Sequence, residues 1–354
     1  MSLTMPRLNV AFRASGNSFV QRGARGTVLM ILRDAALGGT HLSLSRASDA
    51  PDSLSGAALA SIKRAFLGGD SRPKRVLLFI AAPTDGLTDA LAWAATQQFE
   101  YLSGPPDITA EECEAVAAWI AEQRTDYHAS CRAVLPSYAG DAEGVINFCG
   151  AGLTDGVTII TAADYCARIA GLLAGTPVQR SATYAPLDDL ADCTRMTNTA
   201  LDAAVGAGQL VTWHDGNCVR LGRAVTSLTS RNDGDLLRKI KIVAGMDMIR
   251  ADLRALIRDT YIGRYPNTYD NKMLLVTAIR DYFRALETDG VIQPGWSADI
   301  DTDAQLTWLD EHSVDTSDMS EDEIRSADTG SEVFIRCTVR FLDAIEDVDV
   351  NVYM

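Results

Sequence analysis

Nucleotide-binding loops, paired-cysteine motifs and membrane-length apolar runs are all missing from this 354-residue chain. Without GxxxxGK[ST] there is no glycine-rich cradle for a triphosphate, so no nucleotide-driven step is expected. Seven cysteines are present (Cys113, Cys131, Cys149, Cys166, Cys193, Cys218 and Cys337), but they are scattered, odd in number and free of any CxxC pair. That spacing fits small buried hydrophobes in a reducing cytoplasm, not a disulfide framework or a thiolate metal site. His41, His128, His214 and His312 stand far apart and outside HExxH or HxH spacing, so no histidine metal centre is expected. No GxSxG elbow occurs, and Gly150, Gly152 and Gly156 of "GAGLTDG" miss the GxGxxG spacing of a dinucleotide turn. The carboxylates of "DMSEDEIRSAD" lack the alternating ligands and central glycine of a calcium loop. No apolar run approaches the roughly 18 residues of a membrane span, and "MSLTMPRLNVAFRASGNSF" lacks the unbroken apolar core of a signal peptide. The expected catalytic, cofactor-binding and metal sites are therefore none. An α/β enzyme whose site is assembled from distant residues stays open at this level.

What the chain does have is enough apolar content, 47%, for real cores, and a length that fits two domains plus extensions. Its net charge of −15 argues against a nucleic-acid partner. The charge is unevenly spread. From Asp299 to Met354 there are 16 acidic residues against 3 arginines, whereas Met1 to Arg33 carries 5 arginines and no acid. A basic head and an acidic tail suggest that one end meets the other, within a subunit or between two.

Along the middle, β and α patterns alternate. "RVLLFIAAP" is a short continuous apolar run, as expected of a strand covered on both faces. "LSGAALASIKRAFLGG" reads as a helix stopped by Gly68 and Gly69. Thr109 with Glu112, Thr302 with Gln305, and Ser320 with Glu323 match capping boxes. Asp215-Gly216 between β-rich flanks predicts a hairpin. After Ser230 the pattern turns to long helices, then to a half-exposed strand over Val333 to Phe341. In that strand Ile335, Cys337, Val339 and Phe341 form one face. The predicted class is α/β (α+β overall): a mixed-sheet α/β domain over 25–230 and an α+β C-terminal domain over 231–346. Extended strand arms flank them at 1–24 and 347–354. Leu8, Val10 and Phe12 alternate in the first arm, and Val348, Val350 and Val352 in the last. A strand pattern at a chain end has no ladder of its own to join, which predicts a partner strand on another copy of the chain.

The stretches "YIGRYPNTYDNKMLLVTAIRDYFRALETDGVI" and "MSEDEIRSADTGSEVFIRCTVRFLDAIEDVDVNVYM" resemble the C-terminal region of contractile phage tail sheath proteins. The similarity is to the compact kind of Gram-positive myophages, defective prophages and R-type bacteriocins. The residues that carry it are Tyr261, Gly263, Tyr265, Pro266, Asn267, Tyr269, Asn271 and Lys272. The head, "LNVAFRASGNSFVQRGARGTVLMILRD", is similar to the arm and first strand of that family. The resemblance implies a non-enzymatic subunit that stacks as hexameric rings round a tail tube. Its arms would add strands to a neighbour's C-terminal sheet, with Val333, Ile335, Cys337, Val339 and Phe341 in the acceptor. Implied partners are the chain itself, the tail tube protein, and baseplate and tail-terminator proteins. No cofactor, nucleic acid or membrane insertion is implied. The implied location is a virion tail or tail-like particle, assembled in the bacterial host cytoplasm. Arg238, Lys239 and Lys241 are a candidate tube-facing stretch. The nearest alternative is another self-assembling tail or baseplate component.

Overall fold

The computed structural model describes residues 26–230 and 235–353, which belong to two compact units. An α/β unit holds the described residues up to Ile249 together with 343–353, and a C-terminal unit holds Arg250–Leu342.

The α/β unit opens with β1 (Thr27–Arg33), β2 (Thr40–Leu44), α1 (Gly56–Leu67), β3 (Arg75–Ala81) and α2 (Thr88–Ala94). It continues through β4 (Tyr101–Ser103), α3 (Ala110–Thr125), β5 (Arg132–Pro136), β6 (Val145–Phe148), β7 (Leu153–Thr154) and β8 (Ile159–Ile160). Then come α4 (Ala162–Gly175), α5 (Asn198–Gly206), β9 (Gln209–Leu210), β10 (Thr212–His214), β11 (Val219–Leu221) and the first part of α6 (Ile240–Leu256). Seven strands form one sheet in the order β2-β3-β1-β4-β5-β6-β9, parallel except for β2 against β3. A parallel sheet needs both faces covered. Side-chain alternation supplies that here. Val28, Met30, Leu32, Val76, Leu78 and Ile80 pack with Ile62 of α1 and Ile169 of α4. Leu29, Ile31, Leu77 and Phe79 point the other way, into a second cluster with Ala90 of α2 and Val116 of α3.

Helices α1 and α4 approach each other closely at Gly171. A Cβ added there would lie 1.9 Å from the Ala65 carbonyl oxygen, a backbone atom that cannot step aside. Replacing Gly171 with Val is expected to cost about 1–3 kcal/mol or more through overpacking. Chemical denaturation monitored by circular dichroism checks this.

The predicted hairpin is β10–β11, with Gly216 at φ 105° and Asp215 Oδ1 accepting from the amides of Asn217 and Cys218. Thr109 and Ser320 cap their helices as expected, each in a reciprocal box with the glutamate three residues on.

The C-terminal unit contains the end of α6, α7 (Tyr269–Thr288), β12 (Ser297–Ile300), α8 (Thr302–Glu311), α9 (Glu321–Ser326) and β13 (Ile335–Thr338). Helix α8 departs from expectation: Asp301, not Thr302, is the cap, accepting from Ala304 N at 3.1 Å. The amide of Gln305 is drawn instead to the backbone carbonyl of Ile324 at the end of α9.

The division between units also differs from the predicted one at 230/231. It falls at 249/250, because the start of α6 is built into the α/β unit. Ile240 belongs to its core, and Ile240 N donates to Ala224 O at 3.1 Å. Residues 343–346, expected in the C-terminal domain, belong with the α/β unit as well.

Candidate assembly surface

In the C-terminal unit, β12 and β13 form a two-stranded antiparallel sheet, pairing Ser297↔Thr338 through Ile300↔Ile335. The pairing extends beyond the regular strand: Asp301 N donates to Phe334 O, Gln293 N to Arg340 O and Leu342 N to Val291 O. Antiparallel ladders bond through alternate residues. The even-numbered positions from Phe334 to Leu342 therefore turn their backbone groups inward, and Ile335, Cys337 and Val339 turn theirs to the opposite edge. Among the described residues no strand pairs with that edge. Its side chains are incompletely covered: Ile335, Val339 and Phe341 are half-buried, Cys337 is exposed, and Val333 is 40% exposed. The regular strand is thus shorter than the predicted Val333 to Phe341, and its outer edge is open.

Two of the residues quoted for the family resemblance, Asn267 and Lys272, tie down the loop that leads into this strand. Asn267 Nδ2 reaches Gly330 O and Glu332 O, both at 2.9 Å, and Thr329 Oγ1 at 3.2 Å. Lys272, 3% exposed, donates to Thr329 Oγ1 at 3.0 Å and to Ala327 O at 3.1 Å. Burial pushes its ammonium pKa below the ordinary lysine value. Together the two side chains tie the 327–332 loop, which leads into β13, to the start of α7. Asn271 Nδ2 closes the preceding turn on Pro266 O at 2.8 Å. Gly263 adopts φ 72°, and the Tyr261 and Tyr265 rings lie 5.5 Å apart. Tyr269 opens α7 and is 39% exposed. The motif is a structural bracket for an edge strand.

The terminal segment carries no regular structure from Asp343 to Tyr353. Val348, Val350 and Val352 are 68%, 75% and 79% exposed. Just before them the chain is pinned to the α/β unit. Asp343 pairs with Lys239, and Asp347 with Arg223. Glu346 accepts from Ser181 Oγ at 2.9 Å and Thr183 Oγ1 at 2.7 Å. Burial pushes the Asp343 carboxyl up, but the hydrogen bond and charge of Lys239 outweigh it and hold the pKa below the ordinary value. The acidic tail therefore meets Lys239 and Arg223 of its own α/β unit, while four of the five arginines of the basic head, expected to meet one end or the other, lie outside the described residues.

That finding bears on Arg238, Lys239 and Lys241. Lys239 is engaged by the tail, Lys241 is only 8% exposed, and Arg238 donates to Gly206 O at 2.8 Å. The stretch faces its own chain and does not form an outward basic patch. Leu8, Val10 and Phe12 lie outside the described residues. Among the described residues no cluster of three or more His, Cys, Asp or Glu could hold a metal, and no helix is long and apolar enough to cross a membrane.

Comparison with known proteins places these features. The phage tail sheath protein central domain matches residues 81–227, and the phage tail sheath C-terminal domain matches 232–354. A tail sheath protein of Clostridium phage phiCD119 is 33% identical over 354 residues, covering 98% of each chain. The chain belongs to the phage tail sheath family. The fold agrees with solved sheath structures. The sheath tail protein of Desulfitobacterium hafniense aligns with a TM-score of 0.69 at 21% identity, over 79% of this chain and 91% of that one. A sheath complex of an extracellular contractile injection system in its contracted state gives 0.68 at 11% identity, over 93% and 91%. The chain is thus a structural sheath subunit of a phage tail. Sequence reasoning singled out the β13 region and the terminal valines. It missed Glu346, Ser181, Thr183 and Arg223, which lie far apart in the chain; only the acidic bias of the tail hinted at them.

Proposed function

We propose that this subunit polymerises as stacked hexameric rings around a tail tube and contracts to drive the tube through a bacterial envelope. The observation that carries this reading is the open edge of β13 together with the unpaired, exposed valines at the chain end. An edge strand with free backbone groups is a template for another chain. A terminal segment of alternating valines is the matching donor, and main-chain bonds then give affinity while alternate side chains give register. The terminal arm, and the N-terminal arm with Leu8, Val10 and Phe12, would each extend a neighbour's β12–β13 sheet. Contraction is then a transition between two packings of one lattice, driven by free energy stored at assembly. The subunit itself performs no catalysis. The tail tube, baseplate and tail-terminator proteins are the partners, and assembly takes place in the host cytoplasm.

Electron microscopy of the concentrated protein, alone and with its tube protein, tests the reading. Hollow ridged tubes are expected; monodisperse particles in both conditions overturn it. Val339→Asp tests the acceptor. Val339 is half-buried in the subunit, and a carboxylate on a strand face that assembly would cover costs several kcal/mol in desolvation at the joint. Assembly is expected to fail while the far-ultraviolet circular dichroism spectrum stays that of wild type. Normal polymer yield from this variant would rule out β13 as the acceptor.

A further inference from the structure

We infer that Glu346 is a positioning residue that fixes the point at which the terminal arm leaves its own subunit. This rests on the arm reading above and adds to it an origin and a load path. The Glu346 side chain is only 6% exposed, although its neighbours Ile345 and Val348 are 89% and 68% exposed. Carboxylates are rarely buried unless they are paired. Its two oxygens are held differently: Oε1 accepts hydrogen bonds, whereas the buried Oε2 accepts none among the described residues and has only charge contacts. Oε1 takes the hydroxyls of Ser181 and Thr183, and Oε2 lies 3.4 Å from Lys239 Nζ and 3.8 Å from Arg223 Nε. The two hydroxyls also make contacts that do not involve the tail. Thr183 Oγ1 also accepts from Ala224 N at 3.0 Å, and Ser181 Oγ lies 2.9 Å from Thr183 Oγ1, so both hydroxyls are oriented by their own unit. Asp343 on Lys239 and Asp347 on Arg223 flank the buried carboxylate.

The consequence is geometric. The chain leaves the C-terminal unit at Leu342, yet the arm is anchored on the α/β unit up to Asp347. Val348 to Tyr353 can therefore reach about 20 Å from a fixed origin at about 3.3 Å per residue. Without the clamp the free segment would start at Asp343 and gain about 16 Å of slack. Slack lowers the effective concentration of the arm at its acceptor. It also reroutes the load: tension from a neighbour's sheet would no longer pass through Glu346 into the α/β body.

The test uses the full chain. Glu346→Ala is expected to lower the effective concentration of the arm, and with it the polymer yield, about 2- to 3-fold, with an unchanged circular dichroism melt. Glu346→Gln, which keeps the Ser181 and Thr183 bonds, is expected to fall between the two. Insertions separate positioning from mere stability and leave the clamp side chains untouched. A short glycine insertion between Leu342 and Asp343 is expected to be silent, because it lies upstream of the anchor. The same insertion between Asp347 and Val348 is expected to lower assembly as Glu346→Ala does. Equal effects of the two insertions, or wild-type assembly by Glu346→Ala, overturn the inference. If truncation of the arm abolishes assembly while Glu346→Ala does not, only the positioning role fails. If the truncated chain still polymerises, the arm reading fails first.

Discussion

Removal of Val348–Met354 is expected to leave a folded subunit that no longer polymerises. Residues 348–353 make no regular structure within their own chain, and the three valines are between 68% and 79% exposed. Their deletion therefore costs the monomer almost nothing. In a neighbour's sheet the same residues would count for much more. Each buried valine contributes about 1.5–3 kcal/mol and each added backbone hydrogen bond about 1 kcal/mol net. Ordering the strand costs about 1–2 kcal/mol per residue. With three valines and a handful of bonds the two sides nearly balance, so one arm contributes a few kcal/mol. Loss of about 3 kcal/mol per joint raises the concentration needed for assembly by roughly 100-fold. Because every subunit in a ring makes the same joint, the defect compounds. Sedimentation reads the polymer, and a circular dichroism melt reads the monomer. Polymers from the truncated chain at wild-type concentration would refute the arm. A lowered melting temperature would mean that the segment packs at home.

Local elements were legible wherever a pattern is self-contained. The capping boxes at Thr109 and Ser320 and the hairpin at Asp215-Gly216 involve residues three or four apart, and they form as read. The cap of α8 was misassigned by one residue, because Gln305 is engaged by α9 and no local rule announces that. The sheet's two covered faces follow from β3, where a continuous apolar run leaves no exposed side. Its strand order does not follow, since β1 lies between β3 and β4 and the sequence carries no mark of that insertion. The boundary at 249/250 was hidden for a related reason. Helical periodicity runs unbroken through α6, so nothing in the pattern says where one packing environment ends. The tail clamp was the least legible feature. Charge counting identified an acidic end, but its partners Lys239, Arg223, Ser181 and Thr183 are brought together only by the fold.

Asp247 on α6 is expected to be among the most sensitive positions for folding, and not for assembly. Its carboxylate, 1% exposed, lies 2.8 Å from Arg124 Nη1 and 3.4 Å from Arg132 Nε. Its backbone carbonyl accepts from Ser130 Oγ at 2.9 Å. Arg132 is itself 1% exposed and sits 4.3 Å from the centre of the Tyr101 ring, while Arg124 also donates to Cys131 O at 3.2 Å. One carboxylate thus joins α6 to α3 and β5. Replacement by alanine leaves two buried guanidinium groups without it, and breaking one side of a buried ion pair costs about 3–5 kcal/mol. For a unit of this size 1 kcal/mol moves the melting temperature by about 2–4 °C. A drop of roughly 6–20 °C follows for Asp247→Ala. Asp247→Asn keeps the shape and loses the charge, and is expected to fall between. Since α6 carries the chain onward into the C-terminal unit, this variant is expected to reduce soluble protein before assembly is even attempted. A melt within about 2 °C of wild type, less than the shift expected of 1 kcal/mol, would show that the two arginines find compensation elsewhere. The contrast with the arm is diagnostic. Truncation at Val348 spares the melt and removes the polymer, whereas loss of Asp247 lowers the melt itself.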